Sequence, residues 1–340
     1  MGLQEFWFIL IAVLFVGYFV LEGFDYGVGM LLPVLGKTEI RRRVVINTIG
    51  PVWDGNEVWL IVGGGALFAA FPDWYATLFS GFYLPLLLIL VALILRICAI
   101  EWRGKIDDDK WRWRADLGIM IGSWVPAVLW GVAFANIVRG VAINADKKVT
   151  SGFFDLLNPY ALLGGITTGL VFALHGAVFI ALKTADDVRI DAAELAKKLA
   201  IPAVPVAGGF VLWTQLAYGK GWTWILVALA AVAVLAVVFF TRLEREGWAF
   251  VFTTLAIIGA VVLLFASLYP NVMPSTISDA YNLTIENASS SPYTLKVMSW
   301  AAVILVPVVL VYQGWTYWVF SKRISTKHIP PSIGLPTKIG

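Results

Sequence analysis

Charge is scarce in this chain of 340 residues. Asp, Glu, Lys and Arg make up 14%, against roughly 25% in a soluble domain, while 60% is hydrophobic and the mean hydropathy is +0.83. An ordinary soluble globular protein is excluded, because so apolar a surface needs lipid as its solvent. Cysteine is scarcer still: the single Cys98 rules out an internal disulfide, a thiolate zinc site and an iron–sulfur cluster carried by this chain alone. Two histidines, His175 and His328, are too few for a His-rich metal site or for axial ligation of several haems. Any redox centre the chain serves is therefore expected mainly in a partner. The net charge of +3 and the pI near 8.9 form no basic domain, so no nucleic-acid partner is expected.

What the chain has instead is long apolar runs. A bilayer core of about 30 Å takes roughly 20 apolar residues per helix, and nine stretches qualify: Phe6–Leu35, Thr48–Phe71, Tyr75–Ile97, Asp116–Val141, Pro159–Leu182, Leu199–Leu216, Trp222–Phe240, Trp248–Tyr269 and Thr294–Phe320. The first, preceded by Glu5 and no basic residue, does not read as a cleaved signal peptide. Lys and Arg sort strongly between the loops. Arg139, Lys147, Lys148, Lys220 and Lys296 fall on one side and Arg96 falls inside the third span; the other nineteen, Lys338 among them, fall on the opposite side. By the positive-inside rule the N-terminus is outside and the C-terminus cytoplasmic. The reading is an all-α polytopic membrane protein of about nine transmembrane helices, arranged as two four-helix bundles plus one additional helix. Residues 1–158 form the first bundle, 159–270 the second, and 271–340 an external loop, the ninth helix and a cytoplasmic tail.

Function is sought where charge enters lipid, since an ionisable group at mid-membrane costs roughly 2.5–3.5 kcal/mol and is usually paired, in a wet cavity or functional. Helix one carries Glu22 and Asp25, helix two Asp54 and Glu57, each pair spaced i, i+3 and so on one helix face. Arg96 in helix three arrives at a similar depth. Four acids facing lipid would cost on the order of 10 kcal/mol, comparable to the stability of a domain. One reading is a proton relay, with Arg96 holding one carboxylate ionised while burial and like-charge repulsion keep another protonated. The other is helix capping: after Gly50-Pro51, Asp54 and Glu57 fall in the first turns of a helix that starts late, where negative charge is favoured.

The neighbouring glycines, Gly23, Gly27 and Gly29 in helix one and Gly165 and Gly169 in helix five, read as close helix packing, as does Gly63-Gly64-Gly65. No phosphate loop is implied, because no Lys-Ser/Thr follows. His175 reads as a hydrogen-bonded interior histidine more readily than as a metal or haem ligand. Trp53 and Trp59 flank the acids of helix two and are candidates for contact with a quinone ring, with packing as the alternative.

Longer strings carry a resemblance. Glu22-Gly-Phe-Asp25-Tyr-Gly-Val-Gly29, Gly50-Pro-Val-Trp-Asp54-Gly-Asn-Glu57-Val-Trp-Leu-Ile61, Gly64-Gly-Ala-Leu-Phe-Ala-Ala-Phe71, Glu101-Trp-Arg-Gly-Lys-Ile-Asp107 and Tyr269-Pro-Asn-Val-Met-Pro-Ser275 closely resemble subunit II of cytochrome bd-type quinol oxidases. The likeness runs on to the Tyr312–Trp318 helix and so covers nearly the whole chain. It implies a multi-pass subunit of a bacterial plasma-membrane terminal oxidase that oxidises quinol and reduces dioxygen to water with protons from the cytoplasm. A partner, subunit I, would hold two b haems, one d haem and the quinol site, while this chain would bind no haem. The resemblance also admits a structural quinone in this subunit and a small accessory membrane subunit, alongside membrane lipids. It places Asp25, Asp54 and Arg96 at positions tied to proton access or to stabilising the haem-bearing partner. Glu57 and Glu22 would shape the cavity. Two alternatives stand beside this: a proton-coupled secondary transporter, for which helices five to nine carry few polar groups, and a purely structural scaffold.

Overall fold

The structure, a computed structural model, describes residues 2–330 and 334–336. Lys338 and the end of the 271–340 segment lie outside the described residues. The described chain is built of α1 (Leu3–Leu35), α2 (Glu39–Ile49), α3 (Trp53–Ala70), α4 (Pro72–Gly81), α5 (Tyr83–Trp102), α6 (Asp109–Arg139), α7 (Pro159–Lys183), α8 (Asp186–Tyr218), α9 (Trp224–Arg242), α10 (Glu246–Leu268) and α11 (Pro292–Val319). Four short strands join loops at the ends: β1 (Ile106–Asp107) pairs parallel with β4 (Leu335–Pro336), and β2 (Asn271–Met273) antiparallel with β3 (Leu283–Thr284).

The helix boundaries follow local chemistry. Thr38, Asp108, Asn158 and Ser291 cap α2, α6, α7 and α11, each side chain accepting a backbone N–H three residues on. Pro72, Pro159 and Pro292 occupy first helical positions, where the missing N–H costs nothing. Gly140, at φ 87°, ends α6 in a conformation that side chains disfavour.

Eight helices, α1, α5, α6, α7, α8, α9 with its preceding turn, α10 and α11, are long and apolar enough to cross a bilayer. The second expected span, Thr48–Phe71, is divided: Thr48 belongs to the basic helix α2, the chain turns at Gly50-Pro51-Val52, and α3 is 18 residues long, about 27 Å, with a polar first turn and a half. Those polar residues keep α3 outside the group of eight. The third expected span, Tyr75–Ile97, is likewise broken at Phe82 between α4 and α5. Pro202 and Pro205 lie inside the 33-residue α8 without ending it.

The core sits around α1, which packs on α3, α6, α7 and α10. At its crossing with α7, glycine meets glycine: a Cβ on Gly27 would stand 2.7 Å from the Gly176 Cα, so any side chain forces the helices apart. Gly23 lies against Phe172 and Gly165 against Val128 and Val132, as close packing requires, whereas a Cβ at Gly64 or Gly65 would meet nothing within 4 Å.

Ion pairs show which loops share an end. At one end Lys37 and Arg41 reach Asp191, Arg103 bridges Glu39 and Asp116, and Arg189 and Arg323 meet on Glu246. The α1–α2, α5–α6, α7–α8 and α9–α10 turns and the tail after α11 are thereby knitted together, and these are the basic loops that the charge bias assigns to one side. At the opposite end Lys147 pairs with Asp73, Ser290 N–H bonds Ala70 O, and Lys220 bonds the Tyr269 carbonyl.

Candidate functional site

The charged residues of α1 and α5 meet in the interior. Arg96 and Glu22 are both fully enclosed and joined through Arg96 Nη1 and Glu22 Oε1. Arg96 reaches this depth because α6 presents Gly122 to it; a Cβ there would lie 2.6 Å from the Ala92 carbonyl oxygen and 3.0 Å from the Arg96 Cα. The guanidinium also lies over the Tyr26 ring, 5.0 Å from its centroid. Asp25, one turn past Glu22 and equally enclosed, accepts a hydrogen bond from Asn56 Nδ2 at 2.7 Å. The Glu22 and Asp25 side chains lie one turn apart on the same face of α1. Glu57, next to Asn56 on α3, is buried as well.

Glu22 and Asp25 are each held by one oxygen only. Glu22 Oε2 and Asp25 Oδ1, together with Arg96 Nε and Nη2, are buried without a hydrogen-bond partner among the described residues. Such groups cost free energy unless water or a proton reaches them. Around the cluster runs a second ring of polar side chains: Tyr317 O–H and Gln313 Nε2 donate to Asn56 Oδ1 at 2.6 and 3.3 Å, and Trp59 Nε1 donates to Gln313 Oε1 at 2.7 Å. On the far side the Tyr18 and Tyr26 hydroxyls are hydrogen-bonded, and Trp130 Nε1 donates to Tyr18 at 3.0 Å.

Four of the five sequence-predicted residues thus come together: Glu22, Asp25, Glu57 and Arg96. Asp54 does not. It lies exposed in the first turn of α3, where an acid favours the helix N-terminus, while Asn56 and Glu57 turn inward. The residue that charge-based reasoning passed over is Asn56, which sits between the two acids of the string and carries no charge to mark it.

His175 bonds Thr253 Oγ1 at 2.7 Å and the Val20 carbonyl at 3.1 Å and stacks on Phe250 at 4.8 Å. With both ring nitrogens engaged it offers no free ligand to a haem. Among the described residues no group of three His, Cys, Asp or Glu is placed to hold a metal ion. A cavity of about 310 Å³ lies between α6–α10 and Phe19, lined by apolar side chains and by Thr167 and Thr168, whose hydroxyls are spent on helix carbonyls. Trp53 and Trp59 do not line it; Trp53 is buried, and the Trp59 ring covers Gly17.

A bundle of membrane-crossing helices enclosing a carboxyl–guanidinium cluster defines a polytopic membrane subunit built to keep ionisable groups away from lipid. The chain belongs to the cytochrome bd terminal oxidase subunit II family, whose model matches residues 3–320. It is similar to cytochrome bd ubiquinol oxidase subunit 2 of Bacillus subtilis (strain 168), 44% identical over 331 residues that cover 96% of this chain and 98% of the relative. It is also similar to cytochrome bd-I ubiquinol oxidase subunit 2 of Escherichia coli (strain K12), 36% identical over 365 residues and 96% of each chain. In fold it resembles a chain of the bd oxidase from Geobacillus thermodenitrificans, with a TM-score of 0.76 at 16% identity, covering 94% of this chain and 97% of that one. The chain is accordingly a multi-pass subunit of an oxidoreductase complex in the bacterial cytoplasmic membrane, and the transporter reading is set aside.

Proposed function

We propose that the chain serves a quinol:oxygen oxidoreductase in which the haem-bearing subunit I carries two b haems and one d haem, and that its own part is to supply protons and to brace that partner. The observation that carries this reading is the buried group of three acids around one arginine, with an oxygen of Glu22 and an oxygen of Asp25 left free. Reducing one dioxygen to two waters consumes four protons, and these cannot cross lipid unaided. A cluster with more acids than bases in a low-dielectric interior is neutral only when it holds protons, which makes it a store that fills and empties.

In this reading the basic end is cytoplasmic. Asp25 stands ten residues, about 15 Å, from the end of α1 on that side. Asp54, exposed at the start of α3, is the mouth of the route; Glu57, one turn further, leads to Glu22 and Asp25, and Arg96 fixes the charge balance. The exposed apolar faces of α3 and α11 are the surface offered to subunit I, to an accessory subunit and to lipid. Quinol and dioxygen are handled by the complex. The division into bundles 1–158 and 159–270 with a 271–340 remainder is part of the same proposal, with α1 packed on both. A structural quinone of this subunit finds its room in the apolar cavity rather than against Trp53 and Trp59.

The test is Asp54→Asn and Asp25→Asn in the purified complex. Oxygen reduction is expected to fall at least ten-fold while the optical spectrum shows all haems present and reducible by quinol. Full turnover with a complete haem complement would end the proton-path reading. Loss of the haems would assign these acids to assembly, the bracing role favoured by the fully enclosed Arg96–Glu22 pair.

A further inference from the structure

The amide of Asn56 lies in a hydrogen-bond chain whose direction can be read from one end. The indole N–H of Trp59 can only donate. Gln313 must therefore turn Oε1 toward it, at 2.7 Å, and Nε2 toward α3. Nε2 in turn needs an acceptor, and finds Asn56 Oδ1 at 3.3 Å, which also accepts from the Tyr317 hydroxyl at 2.6 Å. With two donors on its oxygen, Asn56 has only its NH₂ left for Asp25, and Nδ2 donates to Asp25 Oδ2 at 2.7 Å. None of Trp59, Gln313 and Asn56 titrates, so the direction of this chain does not change with pH.

We infer that Asn56 is the positioning residue of Asp25, and that Trp59 together with Gln313 and Tyr317 of α11 locks it so that a proton on Asp25 always sits on Oδ1. Oδ2 permanently faces a donor and cannot carry one. Oδ1 has no partner among the described residues and belongs to the acid one turn from Glu22, whose Oε2 is free in the same way while Oε1 is held by Arg96. A proton leaving Asp25 Oδ1 leaves a carboxylate whose other oxygen Asn56 already stabilises. The last long helix of the chain thereby sets the proton geometry of the first, although α11 is otherwise the least buried of the eight spanning helices.

This inference rests on the proton-path reading for its consequence but not for its test. In the purified complex, with the haem spectrum as a check of assembly, the infrared band of Asp25 is identified as the one abolished by Asp25→Asn. Asn56→Leu is expected to shift that band. It is also expected to move the Asp25-dependent limb of the turnover–pH profile upward by about one pH unit, a ten-fold change in proton affinity for loss of a donor to a charged acceptor. The double variant Trp59→Phe/Tyr317→Phe, which spares Asn56 but unlocks it, should broaden the same band, and it decides the matter if Asn56→Leu does not assemble. An unchanged band and profile in assembled Asn56→Leu, or an unchanged band in the double variant, overturns the inference. If Asp25→Asn leaves turnover and its pH profile untouched, the proton path fails and the band alone judges the positioning: a shift upholds it and constancy refutes it.

Discussion

The two halves of the molecule fill their interiors in opposite ways. Between α1 and α3, where Arg96 reaches in from α5, the buried space holds three acids, an arginine, an asparagine and a ring of tyrosines and tryptophans. Between α7, α8, α9 and α10 it holds a cavity of about 310 Å³ whose threonine hydroxyls are already bonded to helix carbonyls. The long spanning helices of the two regions, α1 and α5 against α7 to α10, are similarly apolar on average, so among them composition does not separate the regions. The difference lies in what a change would leave unpaired. In the charged region, removing one group strands another in low dielectric; in the apolar region it only alters a volume. The proposed function accordingly assigns proton chemistry to the first and a passive apolar guest to the second.

Arg96→Met strikes the charged region hardest. It leaves Glu22 without its partner and should cost about 3–5 kcal/mol, seen as failure of the haem-containing complex to accumulate in membranes, with Glu22→Gln in the same chain restoring part of the yield. Arg96→Met at wild-type yield would mean that the cluster is wetter than its enclosure implies. Filling the cavity should do far less. Ala230→Leu with Ala207→Leu is expected to change stability by no more than about 1–3 kcal/mol and turnover by less than about two-fold, while reducing any quinone that co-purifies with the complex. A ten-fold loss of turnover would place part of the reaction in the apolar region and erase the contrast.

The smallest effect belongs to the surface. Lys37 and Arg41 hold the Asp191 carboxyl below its ordinary range. Its contribution is therefore complete above about pH 4 and disappears as the pH falls through the lowered value. Asp191→Asn should cost under about 1 kcal/mol at neutral pH and nothing once the wild-type group is protonated, so the two thermal-stability curves are expected to converge in acid. Curves that stay parallel would show that the pair contributes through packing alone.

The sequence carried the large features for identifiable reasons. Lipid imposes length and apolarity on a spanning helix, so eight of the nine expected spans stand out by composition, and the basic residues that mark one side do meet at one end. The i, i+3 spacing put Glu22 and Asp25 on one face of α1, and the cost of an unpaired charge brought Arg96 to them. Asp54 escaped the same logic because residues three apart still differ by about 60° around a helix: the buried face of α3 runs through Asn56 and Glu57, and Asp54 falls beyond its edge in the first turn. Asn56, Gln313 and Tyr317 were hidden for another reason. Uncharged polar residues pay little to enter a membrane helix, so nothing in composition separates one that holds an acid from one that bonds its own backbone. Their bonds span 31 and more than 250 residues of sequence, a distance no local pattern reports.

That separation also has a meaning in time. Asn56 and Tyr317 are 261 residues apart, and at roughly 5–20 residues per second a ribosome needs about 10–50 s to get from one to the other. For all of that interval the acids of α1 already reside in the membrane with Asn56 free to turn either way. The subunit is born with its charges in place and acquires their orientation last, when α11 arrives, so a chain cut short before that helix is a complete set of acids with no settled direction.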